Sequence, residues 1–291
     1  MNDEAMNHIL KQKLASLQES LKRTGGLTVA YSGGVDSTFL LKVAHDTLGD
    51  DVLAVTACSP SLPKRELMAA EAYAQTLGVR HRIVETEEFD LPDYCNNPVD
   101  RCYFCKREFF TKITAVAARN DLKHVADGSN LDDLGDYRPG IKALGELGIV
   151  CPLKEAGMGK QEIRILSKQM GLPTWDKPAL ACLSTRIPYG HKITREKVSI
   201  IEKAEQFLQD SGFRQVRVRH HGDVARIEVS VEERGKFFDT ALMDRIADVL
   251  KQYGFSYVAL DLRGYRTGSL NEVITTPGGN QSGIRNLNER G

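Results

Sequence analysis

Short apolar runs alternate along residues 27 to 175 with longer segments whose apolar side chains recur at helical spacing. The short runs predict strands, and the longer segments predict helices. The predicted strands are 27–31, 52–57, 80–84, 124–126 and 149–152, and the predicted helices are 39–44, 63–77, 104–119 and 160–170. This alternation indicates an α/β fold with a doubly wound parallel sheet, in which ligands bind where the strands end.

The segments outside 27–175 predict an N-terminal helix and a second, smaller unit. Residues 1–20 have the spacing of an amphipathic helix, which belongs to the first domain, and a polar loop with two prolines covers 176–191. The elements predicted after it are a helix at 194–210, a hairpin of strands at 215–220 and 224–229, a helix from about 231 to 253, and a strand at 257–262. Ser230 and Glu233 form a candidate capping box for the second helix. We therefore predict a nucleotide-binding domain at 1–190, a small α+β domain at 191–275 and a flexible tail at 276–291.

The segment SGGVDS lies between the first predicted strand and its helix. Glycines let the backbone approach an anion, which the N–H groups and dipole of the helix start then bind. The kinase-type pattern GxxxxGK is absent, and the segment resembles the PP-loop of ATP pyrophosphatases, which split ATP between the α- and β-phosphates. We predict that ATP phosphates contact Ser32, Gly33, Gly34, Asp36, Ser37 and Thr38, with Asp36 close to Mg²⁺.

Cys102 and Cys105 form a CxxC pair at the start of a predicted helix. Cationic neighbours such as Lys106, together with the helix start, should lower the pKa of these thiols. The spacing is typical of two ligands to one metal or cluster, and a zinc half-site is one such case. A redox dithiol and an ordinary structural pair are the other interpretations.

A third cysteine, Cys182, lies in the polar loop with Thr185 and Arg186. A thiol beside a hydroxyl and a guanidinium suits sulfur chemistry on an anionic substrate. The alternative is a small apolar cysteine buried in a linker between domains.

Polar residues at two further strands are candidates for ligand contacts. Gly128, Asn130, Asp132 and Arg138 follow the fourth strand, where they could bind nucleotide or its Mg²⁺ or simply form a turn. Arg217 and Arg219 alternate along a later strand and so share one of its faces. That face is either an anion site or an ordinary solvated surface.

Composition narrows the range of partners. Hydrophobic residues make up 41% of the chain and charged residues 27%, as in ordinary globular proteins. With 39 acidic and 39 basic side chains the formal charge is +0, which argues against a nucleic-acid partner. No apolar run is long enough to span a membrane and no signal peptide is evident, so we expect a cytoplasmic protein. The six cysteines are then expected as thiols or metal ligands.

Four longer motifs together resemble the LarE family of ATP-dependent sulfur transferases. They are NPVDRCYFCK, DGSNLDD with DYRPG, KPALACLSTRIPYG and VRVRHHGDVARIEV, and the resemblance spans residues 10 to 275. It implies adenylation of pyridinium-3,5-biscarboxylic acid mononucleotide and conversion of its carboxylates to thiocarboxylates, for the nickel-pincer cofactor of lactate racemase. The implied catalytic residues are Asp36, Cys102, Cys105, Lys106 and Cys182. The implied substrate contacts are Thr185, Arg186, Glu205, Arg217 and Arg219.

The same resemblance leaves two sulfur sources open. Some family members sacrifice the sulfur of one cysteine, whereas others hold a 4Fe-4S cluster on three cysteines, and Cys102, Cys105 and Cys182 match the second pattern. The resemblance also implies a homo-oligomer, specifically a hexamer. Glu205 could hold a metal, orient an arginine or lie at the surface. A PP-loop tRNA thiolation enzyme and an ammonia-using synthetase are the rival enzymes, and a metal-binding scaffold would leave the phosphate loop unexplained.

Overall fold

The computed structural model describes residues 3–135, 139–179, 181–266 and 268–271. Its internal contacts divide the chain into two units, the first made of Met1–Tyr94 and Asp100–Leu180, the second of Cys95–Val99 and Ala181–Gly291. The division thus comes ten residues before the predicted boundary at 190, and each unit is described separately below. Arg138 and the predicted tail at 276–291 lie outside the described residues.

The first unit contains a four-stranded parallel sheet in the order β3-β2-β1-β4. Its strands are β1 (Leu27–Ala30), β2 (Val52–Cys58), β3 (Arg80–Glu85) and β4 (His124–Ala126). The helices that start in this part of the chain are α1 (Asp3–Lys22), α2 (Val35–Leu48), α3 (Lys64–Leu77), α4 (Pro92–Cys95), α5 (Arg101–Ala118), α6 (Gly140–Glu146), α7 (Pro152–Glu155) and α8 (Lys160–Gln169).

Apolar side chains of alternate strand positions enter two separate cores. Leu27 and Val29 of β1 pack with α1, α2 and α8, whereas Leu53 and Val55 of β2 pack with Phe110 and its neighbours on α5. Because helices cover both faces of the parallel sheet, the predicted doubly wound α/β fold is confirmed.

The predicted strand at 149–152 is reduced to one parallel bridge between Val150 and Ala126. Pro152 has no N–H for a sheet ladder and instead begins α7, where a missing N–H is tolerated. The sheet therefore has one strand fewer than the apolar runs predicted.

The second unit is the small α+β domain that the sequence predicted. A helix, α9 (Arg195–Asp210), precedes the antiparallel strands β5 (Val216–His221) and β6 (Val224–Val229). After α10 (Thr240–Gln252), the strand β7 (Tyr257–Leu260) pairs parallel with β6. Asn97 belongs to this unit because its side-chain amide donates to the carbonyls of residues 187, 188 and 191.

The predicted capping box at Ser230 is wrong. Glu233 does not reach back to the Ser230 N–H, because its carboxylate accepts the N–H groups of Arg214 at 2.8 Å and Gln215 at 3.0 Å. Residues 231–238 form 3₁₀ turns, and the helix begins only at Thr240, where the Asp239 side chain accepts the Leu242 N–H. The cap is therefore provided by an aspartate nine residues later than predicted.

Candidate active site

The phosphate-loop candidate occupies the turn between β1 and α2. Gly33 has a φ of +68°, and a Cβ atom there would lie 3.0 Å from the Cβ of Ala70 on α3. Gly34 has an ordinary extended conformation and stands at the N-terminus of α2, where a Cβ would meet only the Ser32 hydroxyl at 3.3 Å. The backbone thus requires glycine at 33 more strictly than at 34.

The hydroxyl groups of the loop contribute mainly to its own folding. Ser37 Oγ lies 3.2 Å from the Ser32 N–H and 3.1 Å from the Ser32 hydroxyl, and it donates to the Gly34 carbonyl at 3.3 Å. Thr38 is fully buried beneath the loop, so its burial favours a packing role over ligand contact. The N–H end of α2 is the feature of this turn that suits an anion.

Two lysines that the sequence analysis missed lie at the loop. Lys160 begins α8 and pairs with the Asp36 carboxylate, and Lys177 donates to the Gly33 carbonyl at 3.0 Å and lies 2.5 Å from Glu66. Each ammonium group is paired with a carboxylate, and this pairing holds both lysines beside the helix start, where they are candidates for phosphate contact. Their sequence signals were weak: Lys160 follows a helix-capping glycine, and Lys177 opens the motif KPALACLSTRIPYG.

The segment after β4 packs directly against the phosphate loop. A Cβ at Gly128 would lie 3.1 Å from the backbone nitrogen of Ser37, so a larger residue would push the two backbone segments apart. Asn130 Oδ1 accepts the Asp132 N–H at 2.9 Å, and Asp132 Oδ2 accepts the Lys160 N–H at 2.7 Å. Asn130 and Asp132 therefore hold the turn and the start of α8, while a nucleotide contact by them stays a prediction.

The cysteine pair lies on the first turns of α5. Cys102 is exposed and Cys105 half-buried, and their i, i+3 spacing puts both on one helix face. Lys106 lies 3.3 Å from the carboxylate of Asp127, which links this helix to the end of β4. Among the described residues, no group of three or more His, Cys, Asp or Glu side chains is placed to hold a metal ion. The third predicted thiol, Cys182, belongs to the second unit.

In the second unit, Arg186 organises the turn that carries Cys182. The Arg186 guanidinium, 2% exposed, donates to both Glu205 oxygens at 2.8 and 2.9 Å. It also donates to the carbonyls of Ala181 and Cys182 and to the Thr185 hydroxyl. Glu205 is buried and orients an arginine, so the surface position considered for it is wrong.

Arg217 and Arg219 are 8% and 7% exposed, so the alternative of a solvated strand face is also wrong. Arg219 donates to the Thr185 carbonyl and to Glu228, both at 2.8 Å. Burial, followed by the neighbouring charge of Arg186, lowers the pKa of Arg217 to about 10. The sequence pattern could not distinguish burial from exposure because the same alternation fits both.

The sheet order and the turn after β1 define the class: an α/β nucleotide-binding enzyme with a PP-loop. No described helix is both long and apolar enough to cross a bilayer. No protein-family model matches the chain. The chain is 45% identical over 267 residues to an uncharacterized protein of Synechocystis sp., covering 92% of this chain and 100% of that one.

It is 39% identical over 267 residues to the pyridinium-3,5-bisthiocarboxylic acid mononucleotide synthase of Lactiplantibacillus plantarum, covering 91% of this chain and 96% of that enzyme. A more distant relative is the glutamine-hydrolyzing GMP synthase of Chlamydia caviae, 26% identical over 226 residues, which covers 69% of this chain and 42% of that enzyme. The chain belongs to the family of pyridinium-3,5-bisthiocarboxylic acid mononucleotide synthases, the LarE family, which confirms the resemblance in its motifs.

Proposed function

We propose that this enzyme uses ATP to convert the carboxylates of pyridinium-3,5-biscarboxylic acid mononucleotide to thiocarboxylates, for synthesis of the nickel-pincer cofactor of lactate racemase. The observation that carries the proposal is the 39% identity, over 91% of the chain, to a synthase of the bisthiocarboxylic product. The glycine-dependent loop at the start of α2 supplies the ATP site that such a reaction needs.

The reaction proceeds in two displacements. A carboxylate oxygen of the substrate attacks the α-phosphorus of ATP, the bond to the β-phosphate breaks and pyrophosphate leaves. A sulfur nucleophile then attacks the acyl carbon, loses its proton, and expels AMP with the original oxygen. Activation is necessary because an unmodified carboxylate has no good leaving group.

In the first unit, the start of α2, Lys160 and Lys177 bind and orient the triphosphate. Asp36 Oδ2 pairs with Lys160, whereas Asp36 Oδ1 is buried and makes no hydrogen bond to any described residue. An unsatisfied carboxylate oxygen beside a phosphate site suits Mg²⁺, a hard cation that prefers oxygen ligands. Asp36 would therefore hold Mg²⁺ through Oδ1, while Oδ2 keeps Lys160 beside the loop.

In the second unit, the buried charges favour binding of an anion. Three buried arginines lie there, Arg186, Arg217 and Arg219, and Arg186 and Arg219 are paired with Glu205 and Glu228. Guanidinium groups bind phosphates and carboxylates through charge-assisted hydrogen bonds, which are strong where water is excluded. The phosphate and carboxylates of the pyridinium mononucleotide are such groups, with Arg217 and Arg219 as their contacts.

The sulfur is supplied through Cys182, either as a ligand of a 4Fe-4S cluster with Cys102 and Cys105 or as a sacrificed thiol. Three thiolate ligands would leave one iron of such a cluster open to an extra sulfide. Alanine variants of all three cysteines distinguish the sources by anaerobic iron and sulfide analysis. The cluster predicts loss of iron and of sulfur transfer in each variant.

In the sacrifice of Cys182, the thiol expels AMP to form a thioester, and loss of the Cα proton then breaks the Cβ–Sγ bond, which leaves the sulfur on the substrate and dehydroalanine in the protein. This route predicts that only Cys182→Ala is inactive and that mass spectrometry detects the loss of hydrogen sulfide. Cys151→Ala is the matched control. Burial, followed by the charge of Asp127, raises the pKa of Cys151 to about 11, which keeps it a neutral thiol and a poor iron ligand. Retained iron in the three variants would contradict the cluster.

The activity is tested with radiolabelled ATP, adding either the pyridinium mononucleotide or bulk tRNA. AMP and pyrophosphate formed only with the pyridinium compound support the proposal. AMP formation that depends on tRNA would favour the thiolation rival, and AMP formation with ammonia alone would favour a synthetase.

A further inference from the structure

The chain after β7 turns back over the end of β6 and is fixed there. Asp261 Oδ1 accepts the N–H groups of Arg263 at 2.8 Å and Gly264 at 3.0 Å, which makes a tight turn. Gly264 has a φ of +72°, and a Cβ there would lie only 2.5 Å from the Val229 carbonyl oxygen. Tyr265 then donates its N–H to the same carbonyl at 2.8 Å.

This fixed segment contacts both Arg217 and Arg219 of β5. The ring of Tyr265 makes a cation–π contact with the guanidinium of Arg217, whose Cζ lies 5.3 Å from the ring centre. The Ser269 hydroxyl accepts a hydrogen bond from Arg219 Nη2 at 2.9 Å. Two side chains of one segment therefore each hold one guanidinium.

The contact with the ring has a specific consequence for Arg217. An aromatic ring beside a guanidinium stabilises the cation and limits its rotation, while the N–H groups at its edge make hydrogen bonds, as Arg217 Nη1 does to the Val216 carbonyl at 2.7 Å. An arginine side chain is otherwise rich in rotamers, and its ordering on ligand binding lowers affinity. A guanidinium ordered before binding is a better receptor for a carboxylate or phosphate.

We propose that Tyr265 and Ser269 are positioning residues, which preorganise Arg217 and Arg219 to bind the anionic groups of the substrate. Neither residue needs to contact the substrate. This inference rests on the proposed function, because it takes the two arginines as the substrate's contacts.

The experiment measures KM and kcat of the full-length enzyme for the pyridinium mononucleotide and for ATP. Tyr265→Leu removes the ring, and Tyr265→Phe is the matched control that keeps the ring without the hydroxyl. Tyr265→Leu should raise KM for the pyridinium compound on the order of tenfold and leave KM for ATP unchanged. Tyr265→Phe should stay near the wild type, and Ser269→Ala should raise the same KM several-fold.

Arg217→Ala and Arg219→Ala separate the two hypotheses. If they raise KM for the pyridinium compound and Tyr265→Leu does not, the positioning inference is wrong while the substrate site stands. If the arginine variants leave this KM unchanged, the substrate site itself is wrong. Equal effects of Tyr265→Leu on both KM values would indicate a merely structural tyrosine. Equal effects of the Leu and Phe variants would show that the ring does not position Arg217.

Discussion

At the residue scale, Gly33 carries the strictest requirement in the phosphate loop. Gly33→Ala should lower the rate of AMP formation at least tenfold, because its left-handed backbone and the nearby Ala70 Cβ would force the loop to move. Gly78→Ala is the matched control, since Gly78 also has a positive φ, +72°, but open space around it. Both changes should cost about 1–2 kcal/mol of stability, measured by urea unfolding. Equal rates of AMP formation in the two variants would contradict the role of the loop.

The second residue-scale prediction concerns the pH dependence of substrate binding. Arg217 loses its charge as pH rises through its pKa of about 10, so KM for the pyridinium compound should increase there. The ordinary pKa of a lysine is about two units lower than that of an arginine, and a lysine at this position is subject to the same burial and the same Arg186 charge. In Arg217→Lys the rise in KM should therefore begin about two pH units lower, while KM for ATP keeps the wild-type profile. Superimposable profiles of the two proteins would show that Arg217 does not bind substrate.

At the element scale, the contact between α9 and the Cys182 turn depends on one buried ion pair. Glu205→Ala leaves the Arg186 guanidinium buried without its carboxylate and should cost about 3–5 kcal/mol in urea unfolding. Glu196→Ala, an exposed change on the same helix, should stay within about 0.5 kcal/mol of the wild type. A stability loss in Glu205→Ala no larger than in Glu196→Ala would contradict the role of the ion pair. A wild-type stability that chelators lower would favour a metal role for Glu205.

The elements themselves could be predicted wherever the signal was local. Strands β1 to β4 and most helices follow from apolar spacing, and the phosphate loop follows from glycines between strand and helix. The start of α10 could not be found in this way, because Glu233 is engaged by the N–H groups of Arg214 and Gln215. Lys160 and Lys177 contact Asp36 and Gly33, which lie 124 and 144 positions away in the sequence. The sequence pattern could not reveal the two lysines because only the folded chain brings these residues together.

At the scale of the whole molecule, the resemblance to LarE predicts self-association. The chain should elute as a homo-oligomer, and a hexamer would have six times the mass of the 32.3 kDa chain. Light scattering on the purified protein measures this directly. A monomer at micromolar concentration would contradict the expected assembly without affecting the assignment to the family.

The most direct test of the account is the stoichiometry of sulfur incorporation and AMP release in a single reaction. The enzyme, prepared anaerobically, is given ATP, Mg²⁺ and pyridinium-3,5-biscarboxylic acid mononucleotide, and the products are resolved by mass spectrometry. We expect one AMP and one pyrophosphate for each carboxylate oxygen replaced by sulfur. Release of ADP and phosphate, or AMP release without any sulfur-containing pyridinium product, would contradict the account.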